Sequence, residues 1–228
     1  MNVKHIFSCA VLLAAAGTAG AQSHQYRLNG TLADDAGGPA LVASGGTLSS
    51  TGYSFGANQG LTLNAALGGI YTIDMTFHFD TQRGWEKIID FKNLSVDSGM
   101  YTQDNTWSFY PVGGFGATAA AGVDARLTLT RDAANMVRMY VNGSQVGSFA
   151  DNSNLANFGG NAAMFFYDDH VTGGREAAGG YVDYIRTYDH ALTAQQVANL
   201  AAVPEPETYA LMLAGLGLLA AAARRRRA

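Results

Sequence analysis

The alternation of apolar and polar residues predicts much of the secondary structure of this chain. In residues 70–80 every second residue is apolar, and these positions hold Tyr71, Ile73, Met75, Phe77 and Phe79. A strict period of two is typical of an antiparallel strand with one buried face. Residues 124–130 repeat the pattern with Leu127 and Leu129. We predict a strand over each of these two segments.

A hairpin signal follows the second of these strands. Another alternating run, residues 136–141, ends at Asn142 and Gly143. Both central positions of a type I′ turn need a positive φ, which Asn and Gly tolerate. We therefore predict a return strand over residues 144–149. Further strands are predicted over residues 26–31, 61–63, 87–91, 107–110, 162–167 and 180–188.

The number and spacing of these segments predict the fold class. Many short strands, glycine-rich turns and no crossover helices indicate an all-β protein, an antiparallel two-sheet sandwich of the jelly-roll type. One short helix is expected at the end of the domain, because Thr193 and Gln196 have the spacing of a capping box. Val197 and Leu200 supply the apolar face of this helix.

The first 21 residues have the three parts of a secretory signal peptide. Lys4 gives the positive start, residues 6–16 form an apolar run, and Ala19 and Ala21 form a small-x-small cleavage site before Gln22. A short membrane anchor is the alternative, but the apolar run is too short for one. We expect the secretion machinery and signal peptidase to act on this segment.

The other end of the chain predicts a membrane segment. Residues 208–223 carry no charge, and they are followed by Arg224, Arg225, Arg226 and Arg227. A helix of this length covers about 24 Å, slightly less than the ~30 Å hydrocarbon core. Arginine side chains can reach the interface and favour the cytoplasmic side. The sequence therefore predicts transient anchoring in the inner membrane, with the main domain on the periplasmic side.

The C-terminal segment also resembles a known sorting signal. Pro204, Glu205 and Pro206, the Ala/Leu/Gly-rich span and the arginine cluster resemble the PEP-CTERM signal, which with its linker occupies residues 201–228. The resemblance implies that an exosortase, a membrane protease, recognises the tail and cuts near the Pro-Glu-Pro motif. It also implies release or display at the surface, typically in Gram-negative bacteria that make exopolysaccharide. A plain C-terminal membrane anchor is the alternative.

Charge and cysteine content exclude several functional classes. Nine of the 14 basic residues and 16 of the 18 acidic residues lie within residues 22–203, which gives this segment a formal charge of −7. Nucleic-acid binding depends on neutralising phosphates, so an acidic domain with few lysines is not expected to bind nucleic acid. The single cysteine, Cys9, lies in the leader, so the mature domain has neither a disulfide nor a thiol nucleophile.

Two segments of the domain resemble a known fold family. Residues 138–143 and 180–189, followed by Ala191, Leu192 and Thr193, resemble the laminin-G-like, concanavalin A-like jelly roll. The resemblance covers residues 25–200, and we assign the domain to residues 22–200. It implies the sandwich fold but leaves the function open, because this fold hosts lectins, glycosidases, adhesion modules and spacers.

The carboxylates of the domain do not have the spacing of a glycosidase. Such an enzyme needs two carboxyl groups flanking one bond, and glucanases of this fold carry them as Glu-x-Asp-x-Glu on one strand. The domain has two glutamates, Glu86 and Glu176, and neither has an acidic residue two positions away. We therefore expect no enzymatic activity. The glycine-rich residues 113–116 lack the features of a phosphate-binding motif and are predicted to form a loop.

Asp168, Asp169 and Glu176 are the candidate calcium ligands. The two aspartates follow an apolar run, and a glycine-containing loop leads to the glutamate. Calcium needs several oxygen ligands, and some laminin-G-like domains bind it at a loop edge. The alternative is that the aspartates cap turns, as aspartate commonly does. We expect His170 to be an exposed loop residue, and no other cofactor is predicted.

Three aromatic residues are the candidate glycan contacts. Tyr101, Trp107 and Tyr110 lie in or beside predicted loops, where their rings could stack on the apolar C–H faces of sugars. The alternative is that they pack in the core or at a sheet edge.

These features together predict an exported, non-enzymatic protein of the cell surface or extracellular matrix that binds carbohydrate or mediates adhesion. Its expected partners are the secretion machinery, signal peptidase and exosortase, and its expected ligand is an extracellular polysaccharide such as that of a biofilm. Two alternatives stay open, a divergent glycan-active hydrolase and a purely structural matrix protein.

Overall fold

The computed structural model describes residues 23–202 and residue 215. Within these residues the chain forms fifteen strands and then one helix, α1 (Ala194–Ala202). The strands are β1 (His24–Tyr26), β2 (Val42–Ala43), β3 (Thr47–Leu48), β4 (Tyr53–Phe55), β5 (Leu61–Leu63), β6 (Tyr71–Phe79), β7 (Trp85–Asp90), β8 (Gly99–Gln103), β9 (Thr106–Tyr110), β10 (Gly113–Thr118), β11 (Ala125–Arg131), β12 (Met136–Val141), β13 (Ser144–Ala150), β14 (Ala163–Phe165) and β15 (Gly180–Tyr188).

The strands form two antiparallel sheets that pack face to face, as predicted. Sheet 1 has the order β13-β12-β11-β6-β15-β4-β3, and β1 pairs with the last third of β15. Sheet 2 has the order β10-β9-β8-β7-β14-β5-β2. The apolar residues of β6 point between the sheets and are buried, as the period of two indicated. They join one large hydrophobic cluster to which both sheets contribute.

The predicted hairpin is present with the expected turn. Strands β12 and β13 are joined at Asn142 and Gly143, whose φ angles are 50° and 82°. These positive values are the ones that a type I′ turn requires.

Three strands of sheet 2 (β2, β8 and β10) and two of sheet 1 (β3 and β4) were not predicted. Strand β8 was missed, and the predicted loop at residues 113–116 was wrong, because these residues form most of β10, which pairs with β9. The ring of Phe115 in β10 stacks on Phe149 of sheet 1, at 6.5 Å between ring centroids. Gly147 leaves room for this ring, because a Cβ there would lie 2.1 Å from Phe115 Cδ1. This contact between the sheets stabilises a segment whose composition favours a loop.

The closing helix begins at the predicted capping box. The backbone N–H of Gln196 donates to Thr193 Oγ1 at 3.3 Å, and the backbone N–H of Thr193 donates to Gln196 Oε1 at 2.9 Å. Val197 of α1 packs with Leu192 on Tyr140 and Tyr188. This small cluster covers part of the outer face of sheet 1.

The predicted targeting segments lie outside the described residues. This applies to the signal peptide with Ala19, Ala21 and Gln22, to the Pro-Glu-Pro motif, and, apart from residue 215, to the span and arginine cluster of residues 208–227. In the part of the chain that the structure describes, no helix has the length and apolar character to cross a membrane.

Candidate functional site

The predicted calcium ligands lie on the outer face of sheet 2, around a buried lysine. Lys87 of β7 is fully buried, and its Nζ lies 2.5 Å from Asp169 Oδ2 and 3.4 Å from Asp90 Oδ2. We call the group formed by Lys87, Asp90, Asp97, Tyr101, Asp168, Asp169 and Glu176 the Lys87 cluster. A buried lysine keeps its charge when carboxylates neutralise it.

Tyr101 is part of this cluster rather than a surface contact. Its hydroxyl donates to Asp97 Oδ1 at 3.1 Å and lies 3.4 Å from Asp169 Oδ2, and its ring centroid lies 5.0 Å from Lys87 Nζ. Tyr101 is 0 % exposed. The prediction that it stacks on a sugar is wrong, because the loop carrying Asp169 covers the sheet at this position.

The two aspartates hold the loop that contains them. Asp168 Oδ2 accepts hydrogen bonds from the Thr172 hydroxyl at 2.7 Å and from the Glu176 backbone N–H at 2.9 Å. Asp169 Oδ1 accepts from the backbone N–H groups of Val171 and Thr172. The aspartates therefore form turn contacts of the kind given above as the alternative to calcium binding. Asp168 Oδ1 is buried without a hydrogen-bond partner.

The carboxyl groups of the cluster have opposite pKa shifts. Burial, together with the charges of Asp97, Asp168 and Asp169, raises the pKa of Glu176 to about 7. Burial also favours a raised pKa for Asp169, but the hydrogen bond and charge of Lys87 outweigh it and lower the pKa. Asp169 is therefore the ionised partner of Lys87, whereas Glu176 gains its proton as the pH falls below neutral.

The cluster does not fit a calcium ion. Among residues 23–202 and 215, no three His, Cys, Asp or Glu side chains are arranged to hold a metal ion. Calcium takes six to eight oxygen ligands, whereas Asp169 is bound to an ammonium group and to backbone N–H groups. The exposed His170 stays at the loop surface, as expected.

The other two predicted glycan contacts differ in exposure. Trp107 is 1 % exposed, its indole N–H donates to the Thr118 carbonyl at 3.2 Å, and its ring meets Phe77 in the core. The prediction that Trp107 contacts sugar is wrong, because β9 turns this side chain inward. Tyr110 is 36 % exposed and its ring lies 5.4 Å from that of Trp85. Its role in glycan contact stays a prediction.

An open groove lies on the outer face of sheet 1, at a place that the sequence did not single out. Its volume is about 470 Å³, within the usual range of ligand sites. Strands β3, β4, β6 and β15 and the adjoining loops line it with Gly46, Thr47, Ser54, Phe55, Gly56, Gln59, His78, Asp80, Gly180 and Tyr181.

Tyr181 forms an aromatic platform in this groove. Its hydroxyl donates to the Thr51 carbonyl, so the ring extends across β4. Gly52 makes this possible, because a Cβ there would lie 2.4 Å from Tyr181 Cζ. The ring is nearly parallel to that of His78, with an interplanar angle of 26° and centroids 5.8 Å apart. The sequence feature that could have pointed to this groove is the outward position of His78 on β6 and of Tyr181 on β15. Only the pairing of these two strands brings the two side chains together.

Polar groups surround the platform. His78 Nδ1 lies 2.6 Å from Asp124 Oδ1, and His78 Nε2 lies 3.6 Å from Asp80 Oδ1. Gln59 Oε1 accepts from the backbone N–H of Gly56 at 2.9 Å, which fixes the side-chain amide at the groove. An aromatic face beside amide, hydroxyl and carboxylate groups suits a ligand with apolar C–H faces and many hydroxyls.

The groove and strand β1, the first strand of the described residues, lie at opposite ends of β15. Thr187, which pairs with His24 of β1, is six residues along β15 from Tyr181. At about 3.3 Å per residue this separation is about 20 Å.

Buried Asp74 of β6 pairs with Arg186 of β15, between these two positions. It accepts hydrogen bonds from Arg126, Thr128 and Tyr184.

The two-sheet architecture places the domain among the lectin-like β-sandwiches. A family model described as the concanavalin A-like lectin/glucanases superfamily matches residues 55–198, more than half of the chain. The chain therefore belongs to this superfamily. A second model, the PEP-CTERM protein-sorting motif, matches residues 202–227. Both resemblances noted in the sequence are confirmed.

Solved structures share the fold at low sequence identity. Trypanosoma rangeli sialidase in complex with 2,3-difluorosialic acid is 16% identical with a TM-score of 0.65, over 82% of this chain and 34% of the sialidase. The chain thus spans about a third of the sialidase's length. Domain 4 of AbnA, an extracellular arabinanase from Geobacillus stearothermophilus in complex with arabinotriose, is 14% identical with a TM-score of 0.57, over 79% of this chain and 98% of that domain.

A toxin domain has the same fold. The botulinum neurotoxin serotype D binding domain is 10% identical with a TM-score of 0.57, over 79% of this chain and 51% of that domain. No curated protein sequence matches the chain. At these identities the structural likeness shows the fold alone.

Proposed function

We propose that this protein is an exported, non-enzymatic carbohydrate-binding module of the cell surface or extracellular matrix, and that its sugar site is the groove beside Tyr181. The observation that carries the proposal is the platform itself. Tyr181 lies across β4 over Gly52, inside an open groove with polar side chains around the ring. Such a combination of one apolar face and a few fixed polar groups is typical of small-ligand sites.

The comparisons support a carbohydrate ligand at the level of the fold. The arabinanase domain with which the chain shares its architecture over almost all of that domain was solved in complex with arabinotriose. Because the same sandwich also serves other functions, we infer carbohydrate binding by this chain from the groove. Tyr101 and Trp107, two of the candidate glycan contacts on sheet 2, do not compete with the groove, since both are buried.

The sorting motif supports export and membrane-associated processing. We propose that signal peptidase cuts before Gln22, that residues 208–223 anchor the protein briefly in the inner membrane, and that an exosortase then cuts near Pro204–Pro206. The domain faces the periplasm during anchoring and afterwards reaches the cell surface or the matrix.

Affinity electrophoresis tests the proposal. The purified mature protein is run through gels containing the host's own exopolysaccharide, with calcium or with EDTA. We expect retardation in both gels, lost in Tyr181→Ala and kept in Tyr110→Ala, a matched tyrosine exposed on the other sheet. Loss of retardation in Tyr110→Ala alone would show that the sugar site lies on sheet 2 instead. No retardation of the wild type would favour the structural matrix protein.

A glycan hydrolase is the second candidate, favoured by one observation. Burial and the neighbouring carboxylates raise the pKa of Glu176 to about 7, as a general acid requires. The other glutamate, Glu86, is buried and bound by the Arg83 backbone N–H and the Thr102 hydroxyl. Release of reducing sugar from the exopolysaccharide, abolished in Glu176→Gln, would establish the hydrolase. No release by the wild type would leave the binding module.

A further inference from the structure

The groove has an acidic character that restricts its ligand. We propose that it takes an uncharged stretch of sugar chain and rejects chains bearing carboxylates, such as uronic or sialic acids. This inference rests on the proposed function and names the ligand class of the same site. The observation behind it is that none of the ten residues lining the groove is Lys or Arg, whereas Asp80 lines it and is 68% exposed.

The one titratable cation of the groove does not change this character. His78 lies between two carboxylates, Asp124 at 2.6 Å and Asp80 at 3.6 Å. Asp124 is not part of the groove lining but contacts His78 directly, and with it the three groups carry a formal charge of −2 with a neutral His78 and −1 with a protonated one. The net charge beside Tyr181 is negative in both cases, so an anionic sugar meets like charge there.

The neighbouring arginines on this face of sheet 1 lie outside the groove. Arg126 donates from Nε to Asp74 Oδ1 at 2.8 Å, and the Arg186 guanidinium lies 4.2 Å from the centroid of the Tyr184 ring. Neither lines the groove. A ligand carboxylate would thus lose its water without gaining a cationic partner, which is costly.

The remaining polar groups suit neutral hydroxyls. Gln59 offers an amide, Thr47 and Ser54 offer hydroxyls that both donate and accept, and Asp80 accepts. Sugar hydroxyls can pair with all of these, while Tyr181 receives the C–H face of a ring. Like-charge contacts that exclude a competitor are a common source of specificity.

The experiment compares three preparations of the host's exopolysaccharide by affinity electrophoresis: native, with its carboxyl groups reduced to alcohols, and with primary alcohols oxidised to carboxylates. We expect the reduced form to bind at least as tightly as the native form, and the oxidised form at least about fivefold more weakly. Tighter binding of the oxidised form would overturn the inference while leaving the proposed function intact. Failure of all three to bind would overturn both.

A charge-reversal variant ties the selectivity to the groove. Asp80→Lys should raise affinity for the oxidised form at least about fivefold. Asp189→Lys changes the net charge equally at an exposed position outside the groove lining and should leave selectivity unchanged. Equal effects of both variants would show that net charge, rather than the groove, sets the preference. Circular dichroism of each variant confirms that it is folded.

Discussion

The outer faces of the two sheets present polar side chains in opposite ways. On sheet 2 the Lys87 cluster is closed, because Lys87 is buried and bound to buried Asp90 and Asp169. On sheet 1 the groove is open, and its polar groups surround an aromatic ring that faces a cavity. Asp168 and Asp169, which stand out in the sequence as adjacent charged residues, belong to the closed Lys87 cluster. The candidate ligand site is instead formed by residues that no sequence motif marks, on β3, β4, β6 and β15 and the adjoining loops.

The comparison is tested most strongly at Lys87. Replacing it in Lys87→Met leaves buried Asp169 and Asp90 without their cation. We expect the free energy of unfolding to fall by about 3–5 kcal/mol, as when one partner of a buried ion pair is removed. Urea denaturation measures this.

The control is Arg27→Met, which breaks the exposed pair between Arg27 and Asp35. We expect a loss of at most about 1 kcal/mol there. A similar small loss in Lys87→Met would show that the Lys87 cluster is not closed.

The next largest effect concerns the platform of the groove. Tyr181→Ala removes the ring and should weaken polysaccharide binding about tenfold, or about 1.4 kcal/mol. Tyr181→Phe keeps the ring and loses the hydrogen bond to the Thr51 carbonyl, so binding should change less than about twofold. Quantitative affinity electrophoresis separates the two. Equal losses in both variants would show that the hydroxyl, rather than the ring face, matters.

A smaller effect is expected from the pH dependence of the Lys87 cluster. The pKa of Glu176 is raised from 4.5 to about 7 by folding. Its contribution to stability is therefore fully present below pH 4.5 and is lost as the pH rises through 7. Because water screens a half-buried carboxyl, we expect a decrease of the order of 1 kcal/mol between these values.

Denaturation curves across this pH range provide the measurement, with Glu176→Gln as the comparison. The variant cannot ionise at this position and should show a flatter profile. If both proteins lose stability equally, another group causes the pH dependence.

The smallest effect is expected from calcium. Because the Lys87 ammonium group already binds Asp169 Oδ2 and backbone N–H groups bind Asp169 Oδ1, millimolar calcium should change the melting temperature of the wild type by less than about 1 °C. The same calcium should raise that of Lys87→Met, whose aspartates lack the ammonium group. A clear increase in the wild type would restore the calcium site predicted from Asp168, Asp169 and Glu176.

Local pattern was sufficient for much of the fold. The alternation in β6, the Asn142-Gly143 turn and the Thr193 capping box each depend on neighbours within a few residues, and each was found where predicted. Strand β10 was missed because its stabilising contact, Phe115 with Phe149, joins two sheets.

The candidate sites needed long-range information. Asp168 and Asp169 were rightly singled out as a polar cluster, but their partner Lys87 lies 82 residues from Asp169. Tyr181 and His78 are 103 residues apart and became neighbours through the pairing of β6 with β15. No spacing rule within one segment can show such contacts, because they are set by strand order and register.

The sequence by itself determined the sandwich class and the acidic charge of the domain. It also determined the family of the domain and the C-terminal sorting motif. These are properties of composition and local order along the chain. Only the tertiary structure decided which polar residues are buried and which are available to a ligand. The physical reason is that the desolvation of a side chain depends on everything packed around it. Tyr101 is buried, whereas Tyr181 lines an open groove.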